Sequence, residues 1–156
     1  VRISLIAAKA ENNVIGLNNE IPWKAEGEQL LFKALTFNQW LLVGRKTFEP
    51  IKRLPNRKFV VLSRFGNIPE SENVKVFRSI DSAIEGMESF TDHLIVAGGG
   101  EVYRETIAFA DCLHLTTIHA IPEGDTFFPD VPGFFDRVFF QNFSSNIDYT
   151  YEIYQR

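Results

Sequence analysis

Short runs of β-branched and aliphatic residues alternate with helical stretches along most of this chain, and that alternation leaves it few architectures. The runs are Ile3 to Ala8, Trp40 to Val43, Lys58 to Leu62, Val74 to Phe77 and His93 to Ala97. Several are apolar at successive positions, as strands covered on both faces are. Between them, Glu26 to Phe37, Ser79 to Phe90 and Glu101 to Ala110 carry apolar residues at helical spacing, with Ser79 placed as an N-cap. Strand and helix in alternation build βαβ units, hence parallel pairing. The last third differs: Leu113 to Ile118, Asp136 to Phe143 and Tyr149 to Gln155 are strand-like with no helix between them. These add in antiparallel fashion at one edge. The predicted fold is α/β, a mixed, mostly parallel central sheet with flanking helices and an antiparallel C-terminal edge.

A chain of 156 residues that is 45% hydrophobic and 13% aromatic holds enough apolar material for one sizeable core. One domain over residues 1–156 is therefore expected, with no repeat, low-complexity tract or linker; Pro122 to Pro132 is the loop richest in turn formers. A net charge of -4 and a pI near 5.4 give no general pull toward nucleic acid or an anionic membrane, so an anionic ligand must be held by local basic residues. Cys112 is the only cysteine, which excludes an intramolecular disulfide and fits a buried thiol in a reducing compartment. Val1 leads straight into Ile3-Ser4-Leu5-Ile6-Ala7-Ala8 without a long apolar segment, and no run of roughly 18 apolar residues follows. A cytosolic monomer is expected. His93, His114 and His119 stand at no metal-ligand spacing with Cys112, so no metal is expected.

Three strands end in polar or glycine-rich turns: Gly44-Arg45-Lys46-Thr47, Ser63-Arg64 and Gly98-Gly99-Gly100-Glu101. In an open α/β sheet such ends line one crevice, where ligands bind. A glycine turn between a strand and a helix lets backbone N–H groups approach a pyrophosphate, although Tyr103 stands where the dinucleotide fingerprint needs its third glycine. Arg45, Lys46 and Arg64 would gather cations at the same edge, which favours a phosphorylated nucleotide and NADPH over NADH, although any one of them alone reads as ordinary solvated surface. Glu28 shares a helix face with Leu31, Phe32 and Leu35. A carboxylate on that inward stripe is either placed for proton delivery or for paired N–H donors, or is simply an acid at a helix start. Lys9 to Lys24, with four asparagines around Gly16, has the composition of a lid over a cleft. Trp23 reads as a staple for the next helix, and Arg57 as surface decoration or as a grip on a carboxylate.

Taken in order, Ile3 to Ala8, Val14-Ile15-Gly16, Ile21-Pro22-Trp23, Glu28 before Phe32-Lys33, Gly44-Arg45-Lys46-Thr47-Phe48-Glu49, Leu54-Pro55-Asn56-Arg57-Lys58, Gly98-Gly99-Gly100 with Tyr103, and Glu123-Gly124-Asp125-Thr126-Phe127-Phe128-Pro129 resemble dihydrofolate reductase over essentially the whole chain. The resemblance implies hydride transfer from NADPH to C6 of 7,8-dihydrofolate with protonation at N5. It implies that Glu28 holds the pterin amino group and ring nitrogen, that Thr116 bonds both carboxylate and pterin, and that Trp23 anchors a water beside Glu28. Ile6, Ala8, Phe32, Ile51 and Leu54 would wall the substrate pocket, and Arg57 would take the α-carboxylate of the glutamate tail. Nicotinamide would meet Ala8 and the lid residues Val14, Ile15, Gly16, Leu17, Asn18, Asn19 and Glu20. The rest of the cofactor would meet Gly44, Arg45, Lys46, Thr47, Leu62, Ser63 and Arg64. Its pyrophosphate would lie against Ala97, Gly98, Gly99, Gly100, Glu101, Val102, Tyr103, Arg104 and Glu105. The common bacterial pattern has aspartate at 28, a hydrophobic residue at 29 and often tryptophan at 31 and 48; here stand Glu28, Gln29, Leu31 and Phe48. Gly27 to Glu49 is similar to the trimethoprim-insensitive reductases carried on mobile elements. Two alternatives are a pyrimidine reductase of riboflavin synthesis, against which Pro22-Trp23 and Glu28 together argue, and a nonenzymatic flavin- or nucleotide-binding module.

Overall fold

The computed structural model describes residues 1–156. Its elements, in chain order, are β1 (Arg2–Ala10), β2 (Val14–Gly16), α1 (Glu28–Thr36), β3 (Trp40–Gly44), α2 (Arg45–Ile51), β4 (Lys58–Leu62), β5 (Val74–Phe77), α3 (Ile80–Met87), β6 (His93–Gly98), α4 (Gly100–Thr106), a 3-10 turn at Ile107–Phe109, β7 (Cys112–Ile118), β8 (Thr126–Phe127), β9 (Asp136–Phe143) and β10 (Tyr149–Gln155). Eight strands make one sheet in the order β5-β4-β3-β6-β1-β7-β10-β9. All pairs from β5 to β7 are parallel, while β10 runs antiparallel to both β7 and β9.

The consecutive apolar runs become the centre of this sheet because both of its faces are covered. Leu41, Leu42 and Val43 on β3 and Val60 and Val61 on β4 have no exposed surface. Successive side chains point to opposite faces. Ile3, Leu5, Leu42, Val60, Leu94, Val96, Leu113 and Leu115 pack on one side with Met87 of α3 and Val102 of α4. Ile6, Leu41, Val43, Phe59, Val61 and Ile95 pack on the other with Phe48 of α2 and the half-buried Phe32 and Leu35 of α1. Each buried aliphatic or aromatic side chain contributes roughly 1.5–3 kcal/mol. The α1 side of the sheet is where the cleft opens.

Several stretches differ from the sequence expectation, among them helix α3, which ends at Met87 rather than Phe90. Gly44 to Thr47, read as a turn, is the entry to helix α2, which buries Phe48 edge-on against Phe59 at 5.3 Å and keeps Pro50 one residue from its end. The lid from Lys9 to Lys24 is partly ordered, since β1 runs on to Ala10 and β2 pairs with β8 in the loop from Pro122 to Pro132. Helix α1 starts at Glu28 rather than Glu26, because Gly27 before it takes a left-handed φ of 92°. Ser79 caps α3 as expected, in a reciprocal pair of bonds with Ser82.

Candidate active site

A cleft of about 1410 Å³ crosses the carboxyl edge of the parallel strands and extends between the sheet and α1. At the α1 end its walls include Glu28, Leu31, Phe32 and Leu35 from the helix, Ile6 and Ala8 from β1, Ile51 and Leu54 after β3, and Thr116 from β7. Gly27 sets where Glu28 points. A Cβ at that glycine would lie 2.8 Å from the Tyr149 hydroxyl oxygen, so the helix reaches the sheet only without a side chain there. Glu28 is half-buried, and burial, with no compensating cation or donor, pushes its pKa above the usual carboxylate value. Thr116, 5% exposed, stands opposite Ala8 on β1 and Tyr151 on β10.

Tyr103 locks this end in place. Its hydroxyl donates to the Ile6 carbonyl at 2.7 Å, and its ring packs on Phe128 at 5.0 Å. Burial drives the phenol pKa far upward, so it remains a donor at every working pH.

Toward the other end, the cleft is walled by Gly44, Arg45, Lys46 and Thr47, by Leu62, Ser63 and Arg64, and by Ala97, Gly98, Gly99, Gly100, Glu101, Val102, Tyr103 and Glu105. Gly98 has φ +125°, and a Cβ there would sit 3.4 Å from both Thr47 and Tyr103 side-chain atoms. The lid contributes Ile15, Gly16, Asn19 and Glu20.

Several residues singled out from sequence lie elsewhere. Val14, within the lid, is buried, and neither it nor Leu17, Asn18 and Arg104 lines the cleft. Trp23 also stands outside the wall, half-buried against Ala25, Ile118 and Tyr149. Arg57 is not surface decoration: it is 9% exposed, beside the lining residues Lys33 and Leu54. Its Nε donates to the Thr36 hydroxyl at 3.1 Å, its Nη1 to the Pro55 carbonyl at 2.7 Å and its Nη2 to the Lys33 carbonyl. A guanidinium has five N–H donors, so one remains on each Nη.

The sequence matches the family model described as dihydrofolate reductase over residues 2–156. The chain belongs to the dihydrofolate reductase family. It is 58% identical over 156 residues to dihydrofolate reductase type 5 of Escherichia coli and 52% identical to type 6 of Proteus mirabilis, in each case over 100% of this chain and 99% of the relative. It also superimposes on a dihydrofolate reductase from Enterococcus faecalis complexed with NADP(H) and RAB-propyl, with a TM-score of 0.88 and 30% identity over 99% of this chain and 96% of that one. The activity is NADPH-dependent reduction of 7,8-dihydrofolate to 5,6,7,8-tetrahydrofolate. Neither alternative, the pyrimidine reductase or the nonenzymatic module, is favoured.

The reductase cleft fits a phosphorylated dinucleotide on the chemistry of its donors. Ser63 Oγ is buried at the cleft wall with no partner, the only such side-chain atom in the chain. Arg45, Lys46 and Arg64 are exposed around it, and Arg45 is bound only to the neutral Asn67, at 2.9 Å. Sequence reasoning missed Arg78 and Ser79, which line the same end after β5. They repeat the Ser63-Arg64 pattern of a strand ending in serine and arginine, so the signal was present. It also missed His114 and Tyr151, which line the cleft beside Thr116. His114 was within reach as the residue two before Thr116 on the same strand face, whereas Tyr151 needs the β7–β10 register.

Proposed function

We propose that this reductase holds the pterin of dihydrofolate at the α1 end of the cleft, with Glu28 as the catalytic carboxylate. The observation that carries the reading is a half-buried acid in the cleft wall whose pKa is raised by burial with no cation or donor to offset it. Such a group is supplied by the ligand with what the fold withholds: N–H donors for its two oxygens. Its raised pKa brings it nearer neutrality, where it supports protonation of N5. Once the pterin is bound, Thr116, in the wall of the same end, would hydrogen-bond the carboxylate and the ring. Ile6, Ala8, Phe32, Ile51 and Leu54 exclude water around it. The free N–H on each Arg57 Nη grips the α-carboxylate of the tail, and the Thr36, Pro55 and Lys33 bonds keep that fork aimed.

Bound NADPH supplies the hydride that reaches C6. Arg45, Lys46, Thr47, Ser63 and Arg64 would hold its phosphates and adenosine, and the turn at Gly98 to Gly100 its pyrophosphate. Ala8 with Ile15, Gly16, Asn19 and Glu20 would meet the nicotinamide end. The chain acts as a cytosolic monomer of one domain, without nucleic-acid or membrane partners.

Low trimethoprim sensitivity belongs to this reading. Glu28 adds one methylene, roughly 1.5 Å, to the aspartate common in bacteria, which displaces the charged pairing that diaminopyrimidines need. Substrate keeps its Arg57 contact, which a tail-less inhibitor lacks. The numbered relatives support the grouping. The test is NADPH consumption with and without dihydrofolate, followed by trimethoprim inhibition constants for wild type and Glu28→Asp. Turnover only with dihydrofolate, and weak inhibition that tightens in Glu28→Asp, is expected. No turnover removes the substrate reading; tight inhibition of the wild type removes the insensitivity.

A further inference from the structure

Beyond Glu28 and Thr116, the α1 end of the cleft has a second polar feature. Cys112, His114 and Thr116 occupy alternate positions on one face of β7, and Tyr151 faces Thr116 across the β7–β10 ladder. His114 Nδ1 lies 2.6 Å from the Tyr151 hydroxyl oxygen, the two rings are stacked within 8°, and His114 Nε2 lies 3.6 Å from Cys112 Sγ. His114 and Tyr151 both line the cleft.

The proton positions in this trio follow from the strengths of its groups. A phenol is a good donor and an imidazole nitrogen a good acceptor, while a thiol is weak as either. Tyr151 therefore donates to Nδ1, and Nε2–H points at Cys112 Sγ. Burial lowers the His114 pKa and raises that of Tyr151 to about 12, so both stay neutral around pH 7. With its only proton committed to His114, the Tyr151 oxygen offers nothing but lone pairs to other groups.

We propose that Tyr151, oriented by His114, is a specificity-determining residue whose hydroxyl oxygen accepts an N–H of the bound heterocycle alongside Thr116. The inference rests on the pterin reading. The two Glu28 oxygens are matched by the ring N–H and one N–H of the exocyclic amino group. The second amino N–H then faces the sheet wall, where Thr116 and Tyr151 are directly opposed in the β7–β10 ladder and the Tyr151 hydroxyl is held toward His114, one alternate position along β7 from Thr116. An acceptor-only oxygen there selects for a 2-amino substituent and against hydrogen at the same position.

The test is equilibrium binding of dihydrofolate and its 2-desamino analogue to wild type and Tyr151→Phe. The variant should bind dihydrofolate roughly tenfold more weakly, about 1.4 kcal/mol, and the analogue as wild type does. His114→Leu should show the same selective loss, and His114→Asn, whose amide oxygen can still take the Tyr151 proton, should keep the wild-type preference. NADPH affinity and melting temperature report whether each variant is folded; if Tyr151→Phe does not fold, the two His114 variants decide. Equal weakening of both ligands, or no change in either, overturns the Tyr151 role and leaves the pterin reading intact. A wild type that neither binds nor reduces dihydrofolate instead removes the reading beneath it.

Discussion

Glu28 occupies the first position of α1, half-buried and without a donor from the chain, so the folded protein holds its proton to a higher pH than the unfolded chain does. Between those two pKa values the folded state binds more protons, and stability falls as pH rises through that window. Glu28→Gln removes the penalty. Its melting temperature should exceed that of the wild type at pH 8, with the gap closing as pH drops through the raised pKa of Glu28 toward the ordinary carboxylate range; thermal melts across pH check this. The same substitution should depress hydride transfer, most strongly near and above neutral pH, because an amide cannot carry the charge that supports protonated N5. At acid pH the solvent supplies more of that protonation, and the deficit narrows. NADPH affinity should change far less. Single-turnover rates against pH decide the matter: wild-type rates throughout would leave Glu28 as an acid at a helix start and nothing more.

At the scale of elements, the lid is held to the segment that carries β8. Asn18 N–H donates to one Asp125 oxygen and the Thr126 hydroxyl to the other, each at 3.0 Å, while Asp125 N–H donates to the Gly16 carbonyl. The Asn18 and Thr126 bonds hold the Asp125 carboxyl below the usual aspartate range, so this tether persists through neutral pH and is lost only as pH falls through that lowered value. Asp125→Ala should speed hydrogen exchange at the Asn18 amide and weaken NADPH a few-fold, with little loss of melting temperature. Unchanged exchange would mean the β2–β8 pairing suffices alone. None of this tether was legible in the sequence, because strands of three and two residues carry no periodicity and their partners lie far apart in the chain. By contrast β4, β5, β9 and β10 have the predicted bounds, since their β-branched and aromatic runs stop at charged or turn-forming residues. Helix α2 was hidden by Pro50 and by the polar Arg45-Lys46-Thr47, although Phe48 and Ile51 keep a helical spacing. Glu28 could be found from its stripe on one helix. The carbonyls that hold Arg57, supplied by Lys33 and Pro55, become neighbours only when α1 packs beside β4.

Over the whole molecule, a net charge of -4 sets up repulsion toward a polyanionic cofactor, which the cations at one end of the cleft must overcome. Arg45, Lys46, Arg64 and Arg78 all line that end. The three ion pairs of the fold, Lys52–Glu49, His119–Glu11 and Arg137–Glu152, engage none of them. No carboxylate is ion-paired with them, so their charge is available to phosphate, and being exposed it is open to screening by salt. The Debye length shrinks from about 30 Å at 0.01 M salt to about 8 Å at 0.15 M. NADPH affinity should fall across that range more steeply than NADH affinity, because the extra phosphate meets the cluster and NADH has none to offer. The preference for NADPH then narrows as salt rises. A charge-assisted bond contributes about 1.5–3 kcal/mol, less where solvent screens it, so Arg64→Ala should weaken NADPH roughly tenfold at low salt, about 1.4 kcal/mol, and NADH little. Titration calorimetry of both nucleotides against both proteins at several salt concentrations measures the slopes. Parallel slopes for NADPH and NADH would show that the extra phosphate lies away from these side chains, and the basic cluster would then be an ordinary solvated surface.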